Sequence, residues 1–168
     1  MGVGRLGYRL AEETEADWWE VEALYDLCFS PGRTALSSYR LRDRVPMVAP
    51  LCLTLRDDDD GTLAAVIRYW PALIGEADVL LLGPIAVHPT RQGEGLGGLV
   101  INESLAKARR LGWERVLLVG DAPYYGRFGF RRLDGVGMPP PTNPDRILGL
   151  ELKAGAWAGV TGAVTKAI

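Results

Sequence analysis

The segment His88-Pro89-Thr90-Arg91-Gln92-Gly93-Glu94-Gly95-Leu96-Gly97-Gly98 joins an apolar, strand-like run to a helix-like run and is dense in glycine. The first turn of a helix leaves backbone N–H groups without helical partners, and the macrodipole makes that end positive. Glycine adds no Cβ, so an anion can reach the main chain. A phosphate or pyrophosphate is the ligand such a turn suits.

Gly93, Gly95 and Gly98 also satisfy the G-x-G-x-x-G spacing of dinucleotide-binding folds. Context argues against that reading, because hairpin-like sequence precedes the motif. The acidic residue that should close the next strand about 20 residues on is also badly placed. Glu114 opens its strand, and Asp121 closes it but lies further away. The lysine and Ser/Thr of a Walker sequence are absent.

The elements that must position these residues are legible in the periodicity. Residues 8–10 read as a short strand, and residues 17–28 as an amphipathic helix with Trp18, Val21, Leu24, Tyr25 and Cys28 on one face. Asp17 is its expected cap, with Glu20 in capping-box position. Residues 30–50 read as mainly irregular, with a short helix around 36–42. Residues 51–55 and 63–70 form a hairpin whose turn is the acidic run Asp57-Asp58-Asp59-Asp60 before Gly61. Those carboxylates diverge on a turn, so a solvated turn is expected rather than a metal site. Ala77–Val87 is the most apolar stretch, continuous after Asp78 as in a strand covered on both faces, yet Pro84 interrupts its pairing. A helix over 95–111 is stopped by Gly112. A strand at Arg115–Val119, a turn or short helix over 123–128 and a strand opening at Phe130 follow. A Pro-rich loop, a strand over 147–152 and an edge strand near 160–164 complete the chain. The sum is one mixed α/β sheet with helices on both faces.

The 168 residues, 48% hydrophobic and 24% charged, fit one globular domain over 1–168 and exclude a disordered or fibrous chain. A net charge of −2 and a pI near 5.5 argue against a nucleic-acid partner. No apolar run approaches the ~18 residues of a membrane span. The opening six residues lack the apolar stretch of a secretory signal, and Cys28 and Cys52 read as buried small hydrophobes. A cytoplasmic location is expected.

Gln92-Gly93-Glu94-Gly95-Leu96-Gly97 is similar to the Q/R-x-x-G-x-G/A motif of the GNAT superfamily of acyl-CoA-dependent N-acetyltransferases. Leu82-Gly83-Pro84-Ile85-Ala86-Val87-His88-Pro89 and Gly120-Asp121-Ala122-Pro123-Tyr124-Tyr125-Gly126-Arg127-Phe128-Gly129-Phe130 resemble it too, particularly small bacterial members whose substrates are mostly unassigned. The resemblance runs through nearly the whole chain in element order and is most specific over 82–130. It implies a single mixed, mostly antiparallel sheet with a splayed central parallel pair, and acetyl-CoA as the acetyl donor. The pantetheine arm would lie in the gap beside backbone groups of Ile85, Ala86 and Val87. N–H groups from Gln92, Gly93, Glu94, Gly95, Leu96, Gly97 and Gly98 would hold the pyrophosphate, with Arg91 adding charge. A neutral amine on a small molecule or peptide would attack the thioester directly, a strand N–H such as that of Val87 would stabilise the oxyanion, and Tyr125 would protonate the departing thiolate. The resemblance implies no metal and is compatible with a homodimer.

Several readings of the residues stay open. Asp121 is a candidate base or the cap of the helix after it. Tyr125 is a general acid or an aromatic packed on Phe128 and Phe130. His88 reads as a loop residue. Trp19, Trp70 and Tyr39 are candidates to line an acceptor pocket. Arg33, Arg40, Arg42 and Arg44 form either a site for an acidic substrate or a solvated face. A non-catalytic acyl-CoA-binding module on the same fold is the alternative function.

Overall fold

Alternation along one long strand sorts the core into two layers. The computed structural model describes residues 7–29 and 37–168; the expectations for Arg33 and Leu36 lie outside them. The strands are β1 (Tyr8–Glu12), β2 (Leu53–Asp57), β3 (Leu63–Ile74), β4 (Ala77–Val87), β5 (Arg115–Val119), β6 (Arg131–Arg132), β7 (Val136–Gly137), β8 (Ile147–Glu151) and β9 (Gly162–Lys166). The helices are α1 (Trp18–Phe29), α2 (Ser37–Arg40), α3 (Leu96–Arg110) and α4 (Ala122–Gly126). From β3, Ala65, Ile67 and Tyr69 pack with Leu96, Val100, Ile101, Leu105 and Ala108 of α3. Val66 joins Val21, Leu24 and Tyr25 of α1, while Trp70, Ala72 and Ile74 pack with Leu41 and Val45 just past α2. Helices therefore cover both faces, as expected. None of the described helices is long and apolar enough to cross a membrane.

The sheet runs β1-β2-β3-β4-β5-β8-β6, antiparallel along this path except for the parallel β4–β5 pair. That pair is short, with register only at Leu80↔Val116 and Leu81↔Leu117. Beyond Leu81, β4 continues through Pro84 to Val87 with β3 alone, so the two central strands part where proline cannot donate to a ladder.

Four expectations are corrected. Thr14, not Asp17, opens the α1 region. Its N–H donates to Asp17 Oδ2 at 2.7 Å in a capping box around a 3-10 turn. Asp17 and Glu20 instead hold Arg56 at 2.7 and 2.8 Å. Trp18 and Trp19 are 46% and 78% exposed, so the buried face of α1 is Val21, Leu24 and Tyr25. The tail strand begins at Gly162 and pairs with both β3 and β7, lying off the main path of the sheet. The acidic turn is only partly a solvated one, because Asp57 and Asp60 both reach Arg91, Asp60 at 3.7 Å.

An ion cluster lies inside the apolar β3. Arg68 is 3% exposed. Its Nε and Nη2 donate to Glu13 at 2.9 and 2.7 Å, and its Nη1 to Glu22 at 2.6 Å. The guanidinium carbon lies 5.3 Å from the Tyr25 ring centroid, and the Tyr25 hydroxyl donates to the Pro84 carbonyl at 2.8 Å. The cluster thus reaches the point where β4 leaves β5.

Candidate active site

The glycine segment starts a 15-residue helix whose N-cap is Gly95, at φ 79°. Gly93 is also left-handed, at φ 90°, a conformation that Cβ-bearing residues adopt only with strain. The first helical bond runs from Leu99 N–H to Gly95 C=O, leaving the N–H groups of Leu96, Gly97 and Gly98 outside the helical ladder. They line a cavity of about 660 Å3 with Gln92, Gly93 and Gly95. A Cβ on Gly93 would enter open space, and one on Gly97 would stand 3.2 Å from the Tyr124 hydroxyl. A large anion thus meets main chain rather than side chains here, which is the fit a pyrophosphate requires.

Backbone pairing decides which strand groups face the gap. His88 N–H donates to Ala64 C=O, so the neighbouring pair Ala65↔Val87 exchanges no hydrogen bonds. By the same alternation Val66↔Ala86 does exchange them, and Ile67↔Ile85 does not. Ile85 and Val87 therefore turn N–H and C=O away from β3. Ala86 turns its own towards β3, although the residue lines the same cavity as the glycine turn. The Val87 carbonyl accepts from Cys28 Sγ at 3.4 Å and Gln92 Nε2 at 3.1 Å, so the outward donor there is its N–H.

Arg91 and Glu94 are committed within the fold. The Arg91 guanidinium pairs with Asp57 and reaches the Tyr8 hydroxyl at 3.2 Å, while that hydroxyl donates to Glu94 at 2.9 Å. Arg91 thus has carboxylate partners of its own beside the glycine turn. Arg127, which the sequence reading missed, lines the same cavity. Its guanidinium lies 4.7 Å from the Tyr124 ring centroid, and it makes no ion pair among the described residues. Its one sequence signal was its place beside the tyrosine pair.

A second cavity, of about 450 Å3, opens between the parted strands beside Leu82, Gly83, Pro84, Leu118 and Gly120. It shares Phe29, Ile85, Tyr124 and Tyr125 with the first, making one cleft with two ends. The Tyr125 ring lies over Gly120, where a Cβ would come within 2.6 Å of Cε2. It packs on Phe130 at 5.9 Å and Tyr124 at 4.9 Å, whereas Phe128 is met by Tyr124. Burial pushes the Tyr125 hydroxyl up to about 12, with Tyr124 and Asp121 adding to the effect and Arg146 opposing it. Asp121 caps α4, accepting from Tyr124 N–H at 3.0 Å, and lines the second cavity. Arg146, also missed from sequence, faces that cavity from a 3-10 turn before β8. His88 closes its own loop, its Nδ1 accepting from Thr90 N–H at 3.2 Å.

A glycine-rich helix start, a parted parallel strand pair and a phenol at their junction define an acyl-CoA-handling fold. The chain belongs to the acetyltransferase (GNAT) family, whose model matches residues 18–130. Acetyl-CoA is the co-substrate of that family. Two relatives from Escherichia coli K12 are called uncharacterized N-acetyltransferases. YjhQ is 40% identical over 62 residues, covering 36% of this chain and 34% of that protein. YhbS is 28% identical over 112 residues, covering 66% and 65%, so the match spans less than two thirds of either relative. The crystal structure of E. coli YhbS with CoA superposes with a TM-score of 0.82 at 24% identity, over 99% of this chain and 93% of that one. A Brucella melitensis GNAT acetyltransferase with acetyl-CoA gives 0.67 at 28% identity, over 94% of both.

Proposed function

We propose that the chain transfers an acetyl group from acetyl-CoA to a primary amine by direct attack. The observation that carries this reading is the continuous cleft, with anion-seeking main chain at one end and Tyr125 and Asp121 at the other. Gly93 to Gly98 and Arg127 hold the pyrophosphate, while Ile85 and Val87 present backbone groups to the pantetheine arm. The bound thioester supplies an activated acyl group. The Val87 N–H is the donor aimed at the acyl oxygen. Asp121 is the one carboxylate lining the acceptor end among the described residues, and it takes the proton the amine must lose.

Burial makes the Tyr125 hydroxyl a weaker acid than a free phenol, and a thiol is a stronger acid than either. Complete proton transfer to sulfur is therefore uphill. Tyr125 acts as a hydrogen-bond donor to the leaving sulfur, and solvent completes the protonation.

Gly95→Val forces a β-branched residue into the left-handed N-cap and should weaken CoA binding by more than about tenfold, with the fold retained by circular dichroism. Arg127→Ala should cost about three- to tenfold, the worth of one exposed charge-assisted contact. Calorimetry checks both, and unchanged affinity in Gly95→Val removes this turn from the site. An amine panel read out by thiol release tests the activity. Tight CoA binding with no transfer to any amine would favour the non-catalytic module.

A further inference from the structure

Beyond the acceptor end of the cleft lies a cavity of about 560 Å3 lined by Tyr39, Arg40, Arg42, Asp43 and Trp70. It adjoins the cleft, because Tyr39 lines both, and a Cβ on the cleft residue Gly83 would stand 2.6 Å from the Trp70 ring. Arg42 lies against two rings, its guanidinium carbon 3.5 Å from the Tyr39 centroid and 3.8 Å from that of Trp70. Its Nη1 is buried without a hydrogen-bond partner, and no carboxylate pairs with Arg42 among the described residues. Arg40 is otherwise engaged, donating to the Pro140 carbonyl at 2.6 Å. Arg68, a fully buried guanidinium, has Glu13 and Glu22. Arg42 is thus a ring-stacked cation with no carboxylate partner among the described residues.

An unpartnered donor on a charged group is costly to keep out of water unless a partner completes it. A guanidinium packed against two rings binds an anion best along its edge, a planar fork that matches a carboxylate in the same plane. We infer that Arg42 binds a carboxylate on the acceptor, so that the substrate class is an amino acid or related amine whose amino group reaches Tyr125 while its carboxylate sits at Arg42. This deepens the proposed activity and rests on it for the direction of the amine. The stacked guanidinium selects acceptors, and Asp43 at the same cavity disfavours dianions.

The test reads binding rather than turnover. CoA-saturated protein is titrated calorimetrically with N-acetyl-ω-amino acids of increasing chain length and with their carboxamides. At one or more chain lengths the carboxylate should bind at least tenfold tighter than its amide. Arg42→Gln should abolish that preference, and Arg42→Lys should retain part of it, with CoA affinity unchanged in both. Equal binding of acid and amide, no binding of any acid, or a preference that survives Arg42→Gln overturns the inference. Because no acetyl transfer is required, failure of the amine panel and failure here are separate results.

Discussion

Tyr125→Phe is expected to lower acetyl transfer about 10²–10³-fold while leaving acetyl-CoA affinity nearly unchanged, the usual worth of one preorganised donor to a developing anion. The hydroxyl meets negative charge only as the thiolate departs, so its loss falls on turnover and not on ground-state binding. Packing should survive, because the ring over Gly120 and against Phe130 is kept. With its pKa near 12, the hydroxyl stays protonated throughout the working range, so no falling limb of the pH–rate profile below about pH 11 should belong to it. Single-turnover transfer to an amine from the panel checks the rate, and calorimetry the affinity. Unchanged single-turnover chemistry would leave Tyr125 as a packing residue alone.

Arg68→Met should destabilise the fold by about 3–5 kcal/mol, because it strands Glu13, whose side chain is only 4% exposed, without its cation. For a domain of this size that corresponds to roughly 6–20 °C in Tm. Glu13→Gln combined with Arg68→Met should recover much of the loss, since the buried charge is then gone as well. Thermal unfolding of the two single variants and the double variant measures the coupling. A loss below about 1 kcal/mol in the single variant would mean that Glu13 is solvated.

Local chemistry made the centre of the fold legible. Ala77–Val87 and Arg115–Val119 fall where continuous apolar runs placed them, because strands buried on both faces leave that trace. Pro84 marked the parting of the strands, and the glycine run marked the start of α3. The opaque features depend on distant partners. Arg68 sits in an apolar run with no local sign that Glu13 and Glu22 converge on it. Arg91 adjoins the glycine run in sequence, and nothing local showed that Asp57 at the end of β2 would pair with it. Ala86 lies between two residues that face the gap and is separated from them only by pairing register. Thr14 lay one 3-10 turn ahead of the expected cap. Arg42 belonged to an arginine cluster, but its stacking on Trp70 depends on how far apart β3 and the residues after α2 come to rest.

The contacts of Arg91 and Tyr8 also bear on when the glycine segment loses its freedom. A chain with glycines at 93, 95, 97 and 98 carries more conformational entropy than almost any other, and a ligand that had to order it would bind correspondingly weakly. Here the near end of the segment is moored to two other parts of the sheet, through Asp57 in the hairpin turn and through Tyr8 to Glu94. The ordering cost thus falls largely on folding, before any nucleotide arrives. The moorings are partly exposed ion pairs and hydrogen bonds, so rising ionic strength loosens them and returns part of that cost to the binding step.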